Sequence, residues 1–255
     1  MRFIHGKRSE YFRKSDVRIL SDAPEFPFGE KRIVVMRDEV KISKECVETL
    51  LDKRFVRVYD LKYAPGKHYY DATRRELDHL VAHMDEEQFQ TMTPDAVSCV
   101  VILKVRNREP LLLLSYEYRY PLGRYVLSIP AGLIDEEDKA EANAPLIAAK
   151  REISEETDLE LDDRDALSLI SPLMFSTPGL SDESNALVCA VVERDELPQL
   201  NQTGAVGGEM FDGFCLTTEE EAKEYLKTGR DRYGRFFSIY TWAALMWFVN
   251  GCWKK

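Results

Sequence analysis

Residues 148–161 read Ala-Ala-Lys-Arg-Glu-Ile-Ser-Glu-Glu-Thr-Asp-Leu-Glu-Leu, and this stretch decides how the rest of the chain is read. Glu152, Glu155 and Glu156 stand at i, i+3 and i+4, so a helix gathers them on one face within about 140° of arc. The spacing predicts a helix over residues 144–156, with Leu146, Ile147 and Ile153 turned inward on the adjacent stripe. Three carboxylates on one face repel each other where ordinary charge pairing would not. A hard divalent cation, Mg²⁺ or Mn²⁺, takes oxygen ligands and removes that repulsion. Arg151, next in sequence, can pair with one carboxylate and hold its rotamer. A solvated acidic face is the alternative reading of the same spacing.

Outward from this helix the chain is strand-rich. Upstream, residues 97–105 (VSCVVILKV), 111–118 (LLLLSYEY) and 124–132 (RYVLSIPAG) form three strand-like runs. Downstream, 167–175 (LSLISPLMF), 186–193 (ALVCAVVE) and 210–217 (MFDGFCLT) have the same character. Two helical patterns follow at 218–228 and 236–247. Nearer the start, 55–63 (FVRVYDLKY) and 68–75 (HYYDATRR) flank Pro65-Gly66 and read as a hairpin. Leu77, Leu80, Val81 and Met84 then have helical spacing, which predicts a helix over 77–92. Residues 1–44, with the turn-rich SDAPEFPFGE at 21–30, are an N-terminal extension. Strands around a central helix, with helices at the end, imply an α/β sandwich rather than a regular βαβ array.

Composition narrows the function. A formal charge of −10 argues against general affinity for nucleic acid or an anionic membrane, while leaving room for a small phosphorylated ligand held by local cations. No apolar stretch is long enough to span a bilayer. The opening MRFIHGKRSEYFRKSD lacks the apolar core of a secretory signal. The five cysteines are scattered without metal-ligand spacing, as expected of thiols in a reducing cytoplasm.

Arg151-Glu152-Ile153-Ser154-Glu155-Glu156 resembles the second half of the Nudix box, and Pro130–Asp135 (PAGLID) resembles the form its first half takes in ADP-ribose pyrophosphatases. The run YEYRYPLGRYVLSIPAG (116–132) is similar to the strands that precede the box in that subfamily, and FSTPGLSDE (175–183) to its downstream proline segment. The resemblance extends over about residues 46–250. It departs at two places. Asn143 replaces a glutamate eight positions before the arginine, after a stretched spacing through 136–145. Asp158 replaces the glycine that ends the helix in a left-handed conformation. Asn143 can serve as the helix N-cap ahead of Pro145.

The resemblance implies a Nudix α/β/α sandwich with a mixed sheet over residues 95–255, and a smaller β-rich subdomain over 45–94 that dimerises. It implies Glu152, Glu155, Glu156 and the Ala131 carbonyl as metal ligands for Mg²⁺ or Mn²⁺, with Arg151 and Glu155 in supporting catalytic roles. In the glycine-rich segment QTGAVGGEMFDGF (202–214), Glu209 matches the proposed base, with Asp212 a weaker competitor. Arg119 matches an arginine that grips a phosphate, where a planar guanidinium suits bidentate contact. Ser128 stands where relatives often carry a substrate-contacting glutamate, and Pro178 marks the downstream substrate segment. The expected substrate is a small nucleoside diphosphate derivative, ADP-ribose foremost, with a homodimer as the working form. Other nucleoside diphosphate compounds, or a Nudix-fold sensor that binds without cleaving, are the alternatives.

Overall fold

The computed structural model describes residues 18–19, 35–36, 40–141, 143–204 and 208–254. Most of the N-terminal extension therefore lies outside the described residues. Its described part is a two-residue antiparallel ladder, β1 (Arg18–Ile19) with β2 (Val35–Met36).

The main body is a seven-stranded mixed sheet. In chain order its strands are β6 (Ala96–Val105), β7 (Leu111–Arg119), β8 (Arg124–Ser128), β9 (Ala131–Leu133), β10 (Ala166–Phe175), β11 (Ser184–Arg194) and β12 (Phe211–Thr217). The spatial order is β10-β11-β6-β7-β12, with β8 paired to β7 and β9 to β6. Only β11 and β6 among these pairs run parallel. Both are covered on both faces, which is why they read as nearly continuous apolar runs. Alternation along β6 divides its side chains between two cores. Val97, Cys99, Val101 and Leu103 join Ala148, Ala149 and Ile153 of α2 (Ala144–Thr157). Val100 and Ile102 join Ala222 and Tyr225 of α3 (Glu219–Thr228), with Ala244, Leu245 and Phe248 of α4 (Ile239–Val249). Helix, sheet and helix thus form three layers, the expected α/β/α sandwich. Ile147 is a correction: it is exposed, and the small Ala144, Ala148 and Ala149 bring the helix close to the sheet instead.

The smaller sheet contains β3 (Val47–Lys53), β4 (Val56–Ala64) and β5 (Lys67–Thr73), all antiparallel. The β4–β5 hairpin turns at Gly66 (φ 67°), as Pro65-Gly66 indicated. Strand β3 escaped the sequence reading because its side chains are almost all exposed, so no buried face imposes an alternation. The helix expected over 77–92 is broken into short 3₁₀ turns at Leu77–His79 and Val81–His83, followed by α1 (Glu86–Thr91). A continuous helix would join the Val81 N–H to the Leu77 carbonyl. Here Val81 N–H donates to Asp182 at 3.1 Å, and the Leu77 carbonyl meets His83 Nδ1 at 3.0 Å. A distant carboxylate takes one end of the bond the helix needs, and a nearby histidine the other.

The seam between the two sheets is polar. Ala72 N–H donates to the Leu180 carbonyl at 2.9 Å, Tyr69 Oη to the Gly179 carbonyl at 2.9 Å, and Arg75 pairs with Asp95 at 2.7 Å. Asp71 accepts from Asp182 N–H at 3.2 Å. Burial and the neighbouring Asp182 charge push the Asp71 pKa up to about 6. A carboxyl raised in the folded state favours folding while protonated. Its contribution is present at acid pH and disappears as pH rises through about 6. Asp71→Asn should therefore stabilise the protein by about 1–3 kcal/mol at pH 7.5 and leave it unchanged near pH 4. Urea denaturation of both proteins at the two pH values checks this; equal gains at both would show that ionisation is not the cause.

Candidate active site

Strands β6 and β7 pair only at one end, through Val101–Leu113 to Leu103–Leu111. Beyond that they diverge, and the chain from β8 to β9 crosses between them at Ile129-Pro130, β8 on β7 and β9 on β6. The splayed strands line a cavity of about 410 Å³. Its walls include Ser98 of β6, Glu117 and Arg119 of β7, Ser128 of β8, Ala131, Gly132 and Leu133 of β9, and Glu209. Arg74, Glu183, Asn185 and Tyr240 line the opposite side, none of them singled out in the sequence.

Helix α2 packs against β9. Pro145 sits in its first turn, and Asn143 precedes it at the cap position but makes no side-chain capping bond, contrary to expectation. At the other end Asp158 adopts the left-handed conformation (φ 60°) that glycine would supply. Asn201 Nδ2 donates to its carboxylate and secures it there. The helix is therefore closed as a glycine would close it, and the acidic face keeps its position.

Glu152 and Glu156 are buried, and Glu155 is partly exposed. Glu152 lies so close to Gly132 that a Cβ there would stand 2.1 Å from its Cδ. Glu156 accepts a hydrogen bond from the Ala131 N–H. The helix carboxylates thus lie directly against β9, a strand that lines the cavity. Burial is the first cause that pushes Glu152 up to about 7 and Glu156 up to about 9. The remaining upward influences are neighbouring acids: Glu155 and Glu209 on Glu152; Glu117, Glu152 and Glu209 on Glu156. Arg151 donates to Glu152 at 2.7 Å and to the Leu133 carbonyl at 3.0 Å, and meets Asp135 at 3.2 Å.

Glu117 is the residue the sequence reading missed. It is buried near the end of β7, pairs with Arg119 at 2.6 Å, and accepts a hydrogen bond from the Ser128 hydroxyl. Its pKa is raised by burial, with Arg119 opposing the shift. The signal was a lone acid in an otherwise apolar strand, two residues from Arg119 and so on the same face. Glu209 follows the glycine-rich segment, whose residues 205–207 lie outside the described ones. The next residue anchors it: Tyr118 N–H donates to the Met210 carbonyl at 2.8 Å. A Cβ on Gly204 would meet the Glu155 carbonyl at 2.4 Å, so this segment lies directly on the end of α2. Asp212 pairs with Arg235 at 3.3 Å and does not line the cavity. Pro178 lines a separate apolar cavity of about 290 Å³ at the seam, with Tyr69, Phe175 and Leu180.

The donor set is all carboxylate and carbonyl oxygen, and buried acids that raise one another's pKa carry a repulsion that a dication relieves. These residues fit a hard divalent cation. Among the described residues no three acids, histidines or cysteines already form a ligand shell, and Glu152 and Glu117 are engaged by guanidinium groups. Gly132→Ala tests the arrangement. The atoms nearest its Cβ would be the far end of Glu152, so melting should fall by no more than about 4 °C, roughly 1–2 kcal/mol. Mn²⁺ affinity by titration should drop at least about tenfold, because Glu152 must leave its place. Unchanged affinity would remove Glu152 from the cation site.

Comparison with known proteins gives one family match: the NUDIX domain, over residues 92–237. A nudix hydrolase of Caenorhabditis elegans is 38% identical over 102 residues, 40% of this chain and 41% of that protein. The ADP-sugar pyrophosphatase of Mus musculus is 31% identical over 123 residues, 48% of this chain and 52% of that protein. The chain thus spans about half the length of these relatives. A crystal structure of an ADP compounds hydrolase is similar at a TM-score of 0.44 and 17% identity, covering 81% of this chain and 90% of that one. No helix among the described residues is long and apolar enough to cross a membrane.

Proposed function

The chain belongs to the NUDIX domain family, and from that premise we propose that it hydrolyses the pyrophosphate of a nucleoside diphosphate sugar, with ADP-ribose cleaved to AMP and ribose 5-phosphate. The observation that carries this reading is the meeting of Arg119, Glu117 and Glu209 in one cavity with the strand on which Glu152 and Glu156 press. A guanidinium suited to phosphate thus lines the cavity whose strand β9 also touches the acidic helix face. The substrate assignment is supported by the likeness to the mouse ADP-sugar pyrophosphatase.

Glu152, Glu155, Glu156 and the Ala131 carbonyl would hold Mg²⁺ or Mn²⁺, which would supply charge neutralisation at the diphosphate and a lower pKa for the attacking water. Arg119 grips a phosphate through its guanidinium fork. Glu209 takes the proton from the water, and the electron pair of the broken P–O bond leaves with the departing monophosphate. Arg151 keeps Glu152 in place. Substitution at phosphorus depends chiefly on such positioning and charge. Ser128 acts on substrate through Glu117, to which it donates. Pro178 belongs to the downstream substrate segment, whose Glu183 lines the cavity.

We place the protein in the cytoplasm as a homodimer. Leu50, Phe55, Tyr63 and Tyr69 are large apolar or aromatic residues exposed on the smaller sheet, which supports that surface as the dimer contact. A panel of ADP-ribose, other nucleoside diphosphate sugars and dinucleoside polyphosphates, each with Mg²⁺ and with chelator, tests the activity. Turnover led by ADP-ribose and abolished by chelator supports it. Preference for a dinucleoside polyphosphate would move the substrate class. Inertness on every compound, with a ligand still raising the melting temperature, would make the protein a sensor.

A further inference from the structure

Arg119 and Glu117 project from the same face of β7 and hold each other at 2.6 Å, yet they differ in freedom. The Arg119 side chain is 48% exposed and that of Glu117 only 12%. Arg119 can swing toward a ligand; Glu117, enclosed beside Ser128 with Glu156 and Glu209 close by, cannot follow it. If Arg119 left alone, Glu117 would lose its counter-charge while still enclosed, an unfavourable state for a buried carboxylate. A cation held by the neighbouring acids would supply the missing charge.

We propose that Glu117 is a positioning residue that exchanges partners. It holds Arg119 in the resting cavity, and turns to the cation site when a diphosphate takes the arginine, so that phosphate and cation bind with positive coupling. This rests on the reading of the cavity as a diphosphate site. By linkage the coupling is reciprocal: the cation releases Arg119 for the diphosphate, and the diphosphate releases Glu117 for the cation. Direct contact between cation and phosphate adds its own share, and the exchange adds a further factor on the order of 5- to 50-fold.

The experiment is calorimetric titration of the full chain with Mn²⁺, with and without α,β-methylene-ADP, whose bridging carbon blocks cleavage. It is run on wild type, Glu117→Gln, Arg119→Gln and the double variant. Arg119→Gln changes a half-exposed side chain and guards against a misfolded Glu117 variant. The expected result is that each single variant lowers the coupling factor at least fivefold, and that the double variant lowers it no further. Wild-type coupling retained in Glu117→Gln, or losses that simply add in the double variant, would overturn the exchange while leaving the diphosphate site standing. A wild type that binds neither Mn²⁺ nor the nucleotide would instead overturn the diphosphate reading, and the exchange with it.

Discussion

Glu156→Gln is expected to lower kcat on the order of 10³-fold while leaving the cation-free protein about as stable as wild type. Burial and its acidic neighbours push the Glu156 carboxyl up to about 9, so at neutral pH without cation it is protonated and uncharged. Glutamine has nearly the same shape and is also neutral; its amide oxygen can accept from Ala131 N–H as the carboxyl does. The stability change should therefore stay within about 1 kcal/mol. The cation response should be lost. Mg²⁺ at 100 times its Kd stabilises the wild type by about 2.7 kcal/mol, roughly 5–10 °C in Tm for a chain of this size. The variant should show a much smaller rise. Melting curves with and without Mg²⁺, beside a turnover assay, check both halves. A variant with wild-type kcat, or with a full Mg²⁺ response, would show that Glu156 is not a ligand.

Glu209→Gln is expected to behave differently, with kcat falling on the order of 10²- to 10⁴-fold and KM moving within about threefold. A residue that only accepts a proton in the transition state contributes to rate and little to ground-state binding. Its Mg²⁺-induced rise in Tm should persist, which separates a base from a principal ligand. Steady-state kinetics and melting on the same preparation decide the matter. A large rise in KM with kcat preserved would make Glu209 a binding residue and leave the base unassigned.

The acidic helix face was legible before the fold because it is local. Three glutamates at helical spacing, with Arg151 beside them, need only the geometry of one helix to be brought together. The central strands were legible because β6 and β11 are buried on both faces and must be apolar throughout. Glu117 was not, since its role depends on which strand lies beside β7 and in which register: Ser115 faces Ser128 and Glu117 faces Val126, information no single run of residues contains. The helix expected over 77–92 failed for a related reason. Its spacing is helical, but Asp182, more than 100 positions away, takes the N–H that the helix needs. Pro178 lies at the seam because the segment it marks turns toward β5, and only the tertiary arrangement shows which of its residues reach the cavity; Glu183 does. Asp158 is the opposite case, a departure from the usual glycine that the backbone accommodates at φ 60°.

The most direct test of the central claim is the appearance of AMP and ribose 5-phosphate from ADP-ribose as Mg²⁺ is titrated into the purified chain, followed by ³¹P NMR beside Glu156→Gln. The account predicts that the diphosphate signals give way to two monophosphate signals only when cation is present, with the variant silent on the same timescale. Cleavage that proceeds equally with chelator, or an unchanged diphosphate spectrum at saturating Mg²⁺, would contradict it.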